Sequence, residues 1–205
     1  MIVIIDYGMG NVGSILNMIR SIGADAIISS NVSEIRKAKK IILPGVGAFD
    51  HAIQNLNNLN LVKILNEMVI DKKTPILGIC LGMQLLTKRS EEGKLKGLGW
   101  IDAETIRFKS DKKSSLKIPH MGWNEVEIKQ ESPLFRDMYA EPKFYFVHSY
   151  YIKCNNVNNV LTTTPYGIDF ASSIMKGNIF GVQFHPEKSH KFGMKLLKNF
   201  IEMIP

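Results

Sequence analysis

Cysteine is the first thing this sequence is short of: its 205 residues contain two, Cys80 and Cys154, in unrelated contexts. Two such thiols give no disulfide framework, so a hydrophobic core must hold the fold and the expected compartment is a reducing cytoplasm. No apolar run approaches the roughly 20 residues that span a bilayer. Residues 1–6, Met-Ile-Val-Ile-Ile-Asp, carry neither a basic region nor a cleavage site, so no secretory leader is expected. Linkers rich in Pro, Gly or Ser are missing and so are internal repeats, which favours one domain over residues 1–205. Arginine is scarce beside lysine, although the formal net charge is +7. Basic residues cluster at 36–40 and 109–117 without interleaved aromatics, so no nucleic-acid partner is expected. The charge reads as a solvated lysine-rich surface, or as steering for a phosphorylated metabolite or an acidic partner.

What is present alternates strand and helix. Residues 2–5 are a buried-strand pattern, followed by Gly8-Met9-Gly10-Asn11-Val12-Gly13, which matches G-x-G-x-x-G literally. A helix follows with Val12, Ile15, Ile19 and Ile22 on one face and Gly23 as its stop. A dinucleotide site would need an acidic residue after the second strand, yet residues 26–29 lead into Ser30-Asn31. A tight strand-to-helix turn is the favoured reading. A third strand at 40–43 enters Pro44-Gly45-Val46-Gly47-Ala48-Phe49, a loop whose backbone can approach a ligand closely. Helical patterns cover 50–58 and 61–72, and a fourth strand at 75–79 delivers Cys80. The alternation argues for a parallel sheet covered on both faces. Beyond Ser90, short alternating runs at 103–108, 124–128, 144–152, 160–163, 170–175 and 179–184 read as antiparallel strands. Some would join the main sheet and some a smaller one, with Lys176-Gly177-Asn178 as a hairpin turn. Residues 189–204 form an amphipathic helix with Ser189 as its expected cap.

Cys80 sits in Gly78-Ile79-Cys80-Leu81-Gly82, a sulfur counterpart of the nucleophile elbow. The flanking glycines fit a turn where a Cβ would crowd the helix behind, whose N-terminal N–H groups would favour thiolate. Alone, the pattern also suits a buried structural cysteine. A nucleophilic thiol needs a base, and the base needs a group that fixes its tautomer. His185-Pro186-Glu187 ends an apolar strand, where positions two apart share a side, so Glu187 can accept from His185 Nδ1. His51 and His190 read as surface residues. His120 and His148 read as core histidines, and no spacing suggests metal ligands.

Gly78-Ile-Cys80-Leu-Gly-Met-Gln84 together with Gln183-Phe-His-Pro-Glu187 resembles the class I, triad-type glutamine amidotransferases. Asp6-Tyr-Gly-Met-Gly-Asn11, the 44–49 loop, Pro119-His-Met-Gly-Trp-Asn124, Phe146-Val-His-Ser-Tyr150 and His185-Pro-Glu-Lys-Ser189 look like the glutaminase subunits of imidazole glycerol phosphate synthase. The resemblance runs over essentially the whole chain. It implies a flavodoxin-like, three-layer open sheet, mostly parallel, with added antiparallel strands and a small second sheet. It also implies a Cys80–His185–Glu187 triad that hydrolyses glutamine through a glutamyl thioester, without cofactor or metal. The expected oxyanion donors are the backbone of Leu81 and of Val46–Gly47, and Gln84, His148 and Ser149 would surround the glutamine. The implied partner is a (β/α)8-barrel cyclase subunit that receives the ammonia in a heterodimer, docked over Asn11, Met121, Trp123 and Lys188. The chain is too short to contain that synthase. Two other readings stand beside it: the same chemistry feeding a different synthase, such as a surface-sugar amidotransferase, or a noncatalytic docking subunit.

Overall fold

Four consecutive apolar residues, Ile2–Ile5, form strand β1, and all four are buried. Side chains alternate along a strand, so Val3 and Ile5 pack into one core cluster while Ile2 and Ile4 pack into another on the opposite face. Burying each such side chain contributes about 1.5–3 kcal/mol. That two-sided burial is the signature of a parallel sheet under helices, and the computed structural model has that architecture over the residues it describes, 1–109 and 116–204. Most of the basic run at 109–117 lies outside the described residues.

After β1 the chain continues through α1 (Val12–Ser21), β2 (Ala26–Ser29), α2 (Val32–Ile35), β3 (Lys40–Leu43), α3 (Phe49–Asn58), α4 (Leu61–Asn66), β4 (Ile76–Ile79) and α5 (Leu81–Leu85). There follow β5 (Ala103–Arg107), β6 (His120–Glu125), β7 (Glu127–Ile128), β8 (Lys143–His148), β9 (Tyr150–Cys154), β10 (Val160–Pro165), β11 (Asp169–Lys176), β12 (Ile179–Val182) and α6 (His190–Glu202). Among the described residues, the main sheet runs in the order β2-β1-β3-β4-β12-β11-β10-β7, with β9 attached to β11 and β5 to β9. Pairing from β2 through to β12 is parallel, and from β12 onward antiparallel. Ile15 and Ile19 of α1 and Leu196, Leu197 and Phe200 of α6 cover one face. Phe49, Ala52 and Leu56 of α3, with Leu61, Ile64 and Leu65 of α4, cover the other. The expected three layers and the small second sheet, β6 paired with β8, are both present.

Several expectations need correction. The run at 144–152 is not one strand. It breaks at Ser149, so that β8 belongs to the small sheet and β9 to the main one. Period-two patterning cannot register that change of partner, because both halves keep alternating. The run at 124–128 starts earlier, at His120, and is divided at Val126. The helix expected at 61–72 passes into a π-helical turn at Glu67–Asp71. Ser189 does not cap α6; its Oγ donates to the His185 carbonyl at 2.6 Å and accepts from Tyr145 N–H at 3.0 Å. The glycine-rich segment after β1 is a turn, and Asn31, standing where a ribose-binding acid would be sought, caps α2 by accepting from Ser33 N–H. Among the described residues, no helix is long and apolar enough to cross a membrane.

A very tight contact lies where α5 meets β3. A Cβ on Gly82 would sit 1.8 Å from the Leu43 carbonyl oxygen, and one on Gly78 would sit 2.8 Å from the Gly82 backbone. Gly13, in α1, has open space around it. Gly82→Ala is therefore expected to cost about 3 kcal/mol or more, because backbone must shift. Gly13→Ala is expected to be neutral or to gain up to about 1 kcal/mol from helix propensity. Chemical denaturation of the two variants side by side measures both.

Candidate active site

Strand β4 ends at Ile79, and the next residue turns sharply. Cys80 has φ +54 and ψ −111, a backbone conformation that side-chain-bearing residues rarely adopt, costing of order 1–3 kcal/mol. The turn is held from both sides. Cys80 N–H donates to Val182 O at 2.8 Å, and Cys80 O accepts from Met83 and Gln84 N–H in the first turn of α5. That helix has only five residues, so it presents first-turn N–H groups rather than a long macrodipole.

His185 is delivered from the neighbouring strand, but not in the manner expected. β12 ends at Val182, and His185 precedes a 3-10 turn at Pro186–Lys188. The turn, not strand alternation, brings Glu187 beside His185, with Nδ1 and Oε1 2.8 Å apart. Both side chains are about 98–99% buried. The small sheet fixes this turn: His185 N–H donates to Tyr145 O at 2.9 Å, and Ser189 ties Tyr145 to the His185 carbonyl. Burial opposes charge on His185, but the neighbouring Cys80 sulfur and the Glu187 carboxylate outweigh it and raise its pKa well above the usual histidine range. Nε2 is buried without a well-formed hydrogen bond in the chain, so it is the ring nitrogen with its capacity unspent.

Cys80 and His185 line a cleft of about 330 Å³ together with Val46, Gly47, Leu81, Gln84, Glu92, Pro119, Val147, His148, Ser149 and Tyr150. All three expected oxyanion-hole residues and all three expected glutamine contacts are thus gathered at the thiol. Gly47 has φ +102, and the Pro44 carbonyl at the base of its loop is held by the buried Tyr7 hydroxyl at 2.6 Å. Leu81 opens α5, where N–H groups have no intrahelical acceptor.

His148 contributes differently from expectation. Its Nδ1 meets the Tyr150 carbonyl at 2.7 Å, so that nitrogen carries the proton, and its Nε2 meets His120 Nδ1 at 3.0 Å. His120 Nε2 in turn faces the Asn124 amide at 3.2 Å. Both rings are satisfied as neutral species, and what His148 offers the cleft is its ring face and backbone rather than a free nitrogen. Burial pushes the pKa of His120 down to about 4 and that of His148 to about 3.

The four residues assigned to docking lie on the outside. Met121 and Trp123 project from β6 with 63% and 47% exposure. Trp123 stacks on His190 at 5.4 Å, and Lys188 lies over the Tyr145 ring at 5.6 Å. Asn11 is exposed at the start of α1, without a side-chain capping bond. Trp123 is therefore a surface residue and not a core one.

The glutamine amidotransferase class-I family profile matches residues 3–204. The HisH 2 subunit of imidazole glycerol phosphate synthase from Methanococcus maripaludis is 59% identical over 202 residues, covering 98% of this chain and 99% of that protein. The chain belongs to the class-I glutamine amidotransferases. Within the family it falls with the HisH subunits: the Pseudomonas aeruginosa HisH 2 subunit is 48% identical over 204 residues, covering all of both chains. Two solved structures share the amidotransferase fold. A putative GMP synthase subunit from Thermoplasma acidophilum has a TM-score of 0.73 at 19% identity, covering 99% of this chain and 92% of that one. A glutamine amidotransferase from Thermotoga maritima has a TM-score of 0.72 at 16% identity, covering 99% and 96%.

The motifs contain Gln183 and Tyr150 without giving them a role, and they do not contain Glu92. Glu92 lies in an irregular turn, where one of its oxygens accepts from Phe49 N–H at 2.9 Å. Among the described residues it is the one carboxylate lining this amidotransferase cleft. Such a group suits the α-ammonium of an amino acid. Only the spacing within Gln183-Phe-His185 could have pointed to Gln183.

The neutral histidine pair makes stability pH-dependent. Both folded pKa values lie below the ordinary 6.5, so the unfolded chain binds more protons in the window between, and stability falls as pH drops from about 6.5 towards 3. His185, whose folded pKa is raised, opposes that slope near pH 6.5 and adds nothing to it below about 5, where it is charged in both states. Replacing both residues with Gln is expected to flatten the slope in denaturation curves taken across that range.

Proposed function

We propose that this chain is the glutaminase subunit of an imidazole glycerol phosphate synthase, working as a single amidotransferase domain over residues 1–205. The observation that carries the reading is a strained cysteine and a histidine opening on one cleft, the histidine paired behind with a buried glutamate, in a chain 59% identical to a HisH subunit. Cys80 attacks the side-chain carboxamide of glutamine, and His185 protonates the departing ammonia. Water activated by His185 then hydrolyses the glutamyl thioester to glutamate. Glu187 holds the His185 tautomer and stabilises the imidazolium. The Leu81 and Val46–Gly47 backbone donates to the oxyanion formed in each step. Gln84, His148 and Ser149 shape the glutamine site, with Glu92 available to the α-ammonium.

Ammonia is mostly protonated at neutral pH, so the product is useful only if it is passed on before it equilibrates with water. The receiving subunit is a (β/α)8-barrel cyclase that makes imidazole glycerol phosphate and an aminoimidazole carboxamide ribotide, in a cytoplasmic heterodimer. Asn11, Met121, Trp123 and Lys188 form the docking face, with Trp123 as anchor. The same chemistry coupled to a surface-sugar amidotransferase is the alternative that the assay must separate.

The deciding measurement is glutamate formation by the purified chain alone, then with the cyclase and its nucleotide substrate. A low basal rate and a large rise with the cyclase support the assignment; no rise in a verified complex overturns it. Cys80→Ala is expected to abolish glutamine-dependent synthesis while ammonia-dependent synthesis by the partner continues. Loss of both in an intact complex would contradict that division of labour. Trp123→Ala is expected to weaken the complex by about 2 kcal/mol, roughly thirtyfold in Kd by titration calorimetry.

A further inference from the structure

The sulfur of Cys80 has a polar neighbour that the triad does not account for. Gln183 is fully buried between β12 and His185, and its Nε2 lies 3.7 Å from Cys80 Sγ. Which end of an amide faces a sulfur is a question of orientation, and the surrounding hydrogen bonds answer it. The Tyr150 carbonyl can only accept, so the group 3.3 Å from it on Gln84 is the amide nitrogen. That same Gln84 nitrogen lies 3.1 Å from the other end of the Gln183 amide, which must be the oxygen. Gln183 therefore turns its N–H towards the sulfur. Flipping either amide would set donor against donor or oxygen against carbonyl oxygen, at a buried site where an unmade bond is costly.

We propose that Gln183 is a further catalytic residue, an N–H donor to Cys80 Sγ that favours the thiolate, with Gln84 as its positioning residue. An N–H aimed at the sulfur stabilises negative charge there and does nothing comparable for the neutral thiol. A packing role alone does not call for an amide in this place, since an apolar side chain of the same size would fill the space without needing partners. The chain of bonds extends further back. The Tyr150 carbonyl that orients Gln84 also accepts from His148, which is held by His120 and Asn124. Gln84 thus faces the cleft with both of its N–H groups committed, and only its oxygen is left for a ligand.

The inference rests on Cys80 being the nucleophile, and the two can fail separately. Glutamine hydrolysis surviving in Cys80→Ala would refute the nucleophile. The test of Gln183 uses no glutamine. In a Cys154→Ala background, so that Cys80 is the only thiol, alkylation by iodoacetamide is followed against pH on the full chain, alongside the ultraviolet absorbance of the thiolate. Gln183→Met, similar in size but without the N–H, is expected to move the alkylation midpoint upward by about one pH unit, roughly a tenfold loss of thiolate on the acid side. Gln183→Glu is expected to move it further, since a carboxylate repels the thiolate. Gln84→Met, which frees Gln183 to rotate, moves it in the same direction by less. An unmoved midpoint in Gln183→Met, with wild-type circular dichroism, overturns the proposal, and so does a Glu variant that shifts no more than Met. Should Gln183→Met fail to fold, an unmoved midpoint in Gln84→Met overturns it equally.

Discussion

The close approach of α5 to the end of β3 is the constraint on which the cleft depends. With no side chain at Gly82, the first turn of α5 lies directly against the Leu43 carbonyl, and Gly78 gives the same clearance from within β4. Cys80 is squeezed between these contacts and takes a backbone conformation it would not choose alone. Strain of that kind persists only where the surroundings over-determine it. Here the ladder bond to Val182 on one side and the α5 turn on the other leave the thiol nowhere else to go. The Pro44 loop follows directly from Leu43, so the contact that bends the chain at Cys80 also sets the loop that faces it.

A second layer of organisation comes from the small sheet. Tyr145 on β8 receives the His185 N–H through its carbonyl and gives its own N–H to Ser189, clamping the turn that carries Glu187. The partner strand β6 sends His120 inward to His148 while Met121 and Trp123 remain outside. A two-stranded ribbon thus touches the turn that carries the His185–Glu187 pair, the wall of the cleft and the exposed aromatic face. Its histidines do this without charge, because burial makes the imidazolium form expensive and the hydrogen bonds on both rings are already complete.

Much of this was legible from the residues. Unbroken apolar runs such as Ile2–Ile5 reveal doubly buried strands, and the glycines around Cys80 reveal an elbow, because each pattern has one dominant physical cause. The pairing of His185 with Glu187 is present, but not through the strand geometry that suggested it; Pro186 starts a 3-10 turn and ends the alternation. What stayed hidden depends on which distant segments meet. Nothing local says that residues 143–148 and 150–154 pair with different sheets, nor that Glu92, beside an equally acidic Glu91, is the one that reaches the cleft. Gln183 stands just before the His-Pro-Glu motif, beyond the end of β12, and no local pattern gives it a role, since its orientation is decided by the distant Tyr150 carbonyl acting through Gln84.

The break at Ser149 has a wider consequence. One residue joins strands of two sheets, and that joint forms a wall of the cleft. The cavity is therefore a seam between two bodies, the main sheet and the small one, instead of a pit carved into one. Its dimensions are inherited from the pose of those bodies. A substitution in the packing beneath the ribbon can therefore change what fits, or how tightly, while every residue lining the cleft stays the same.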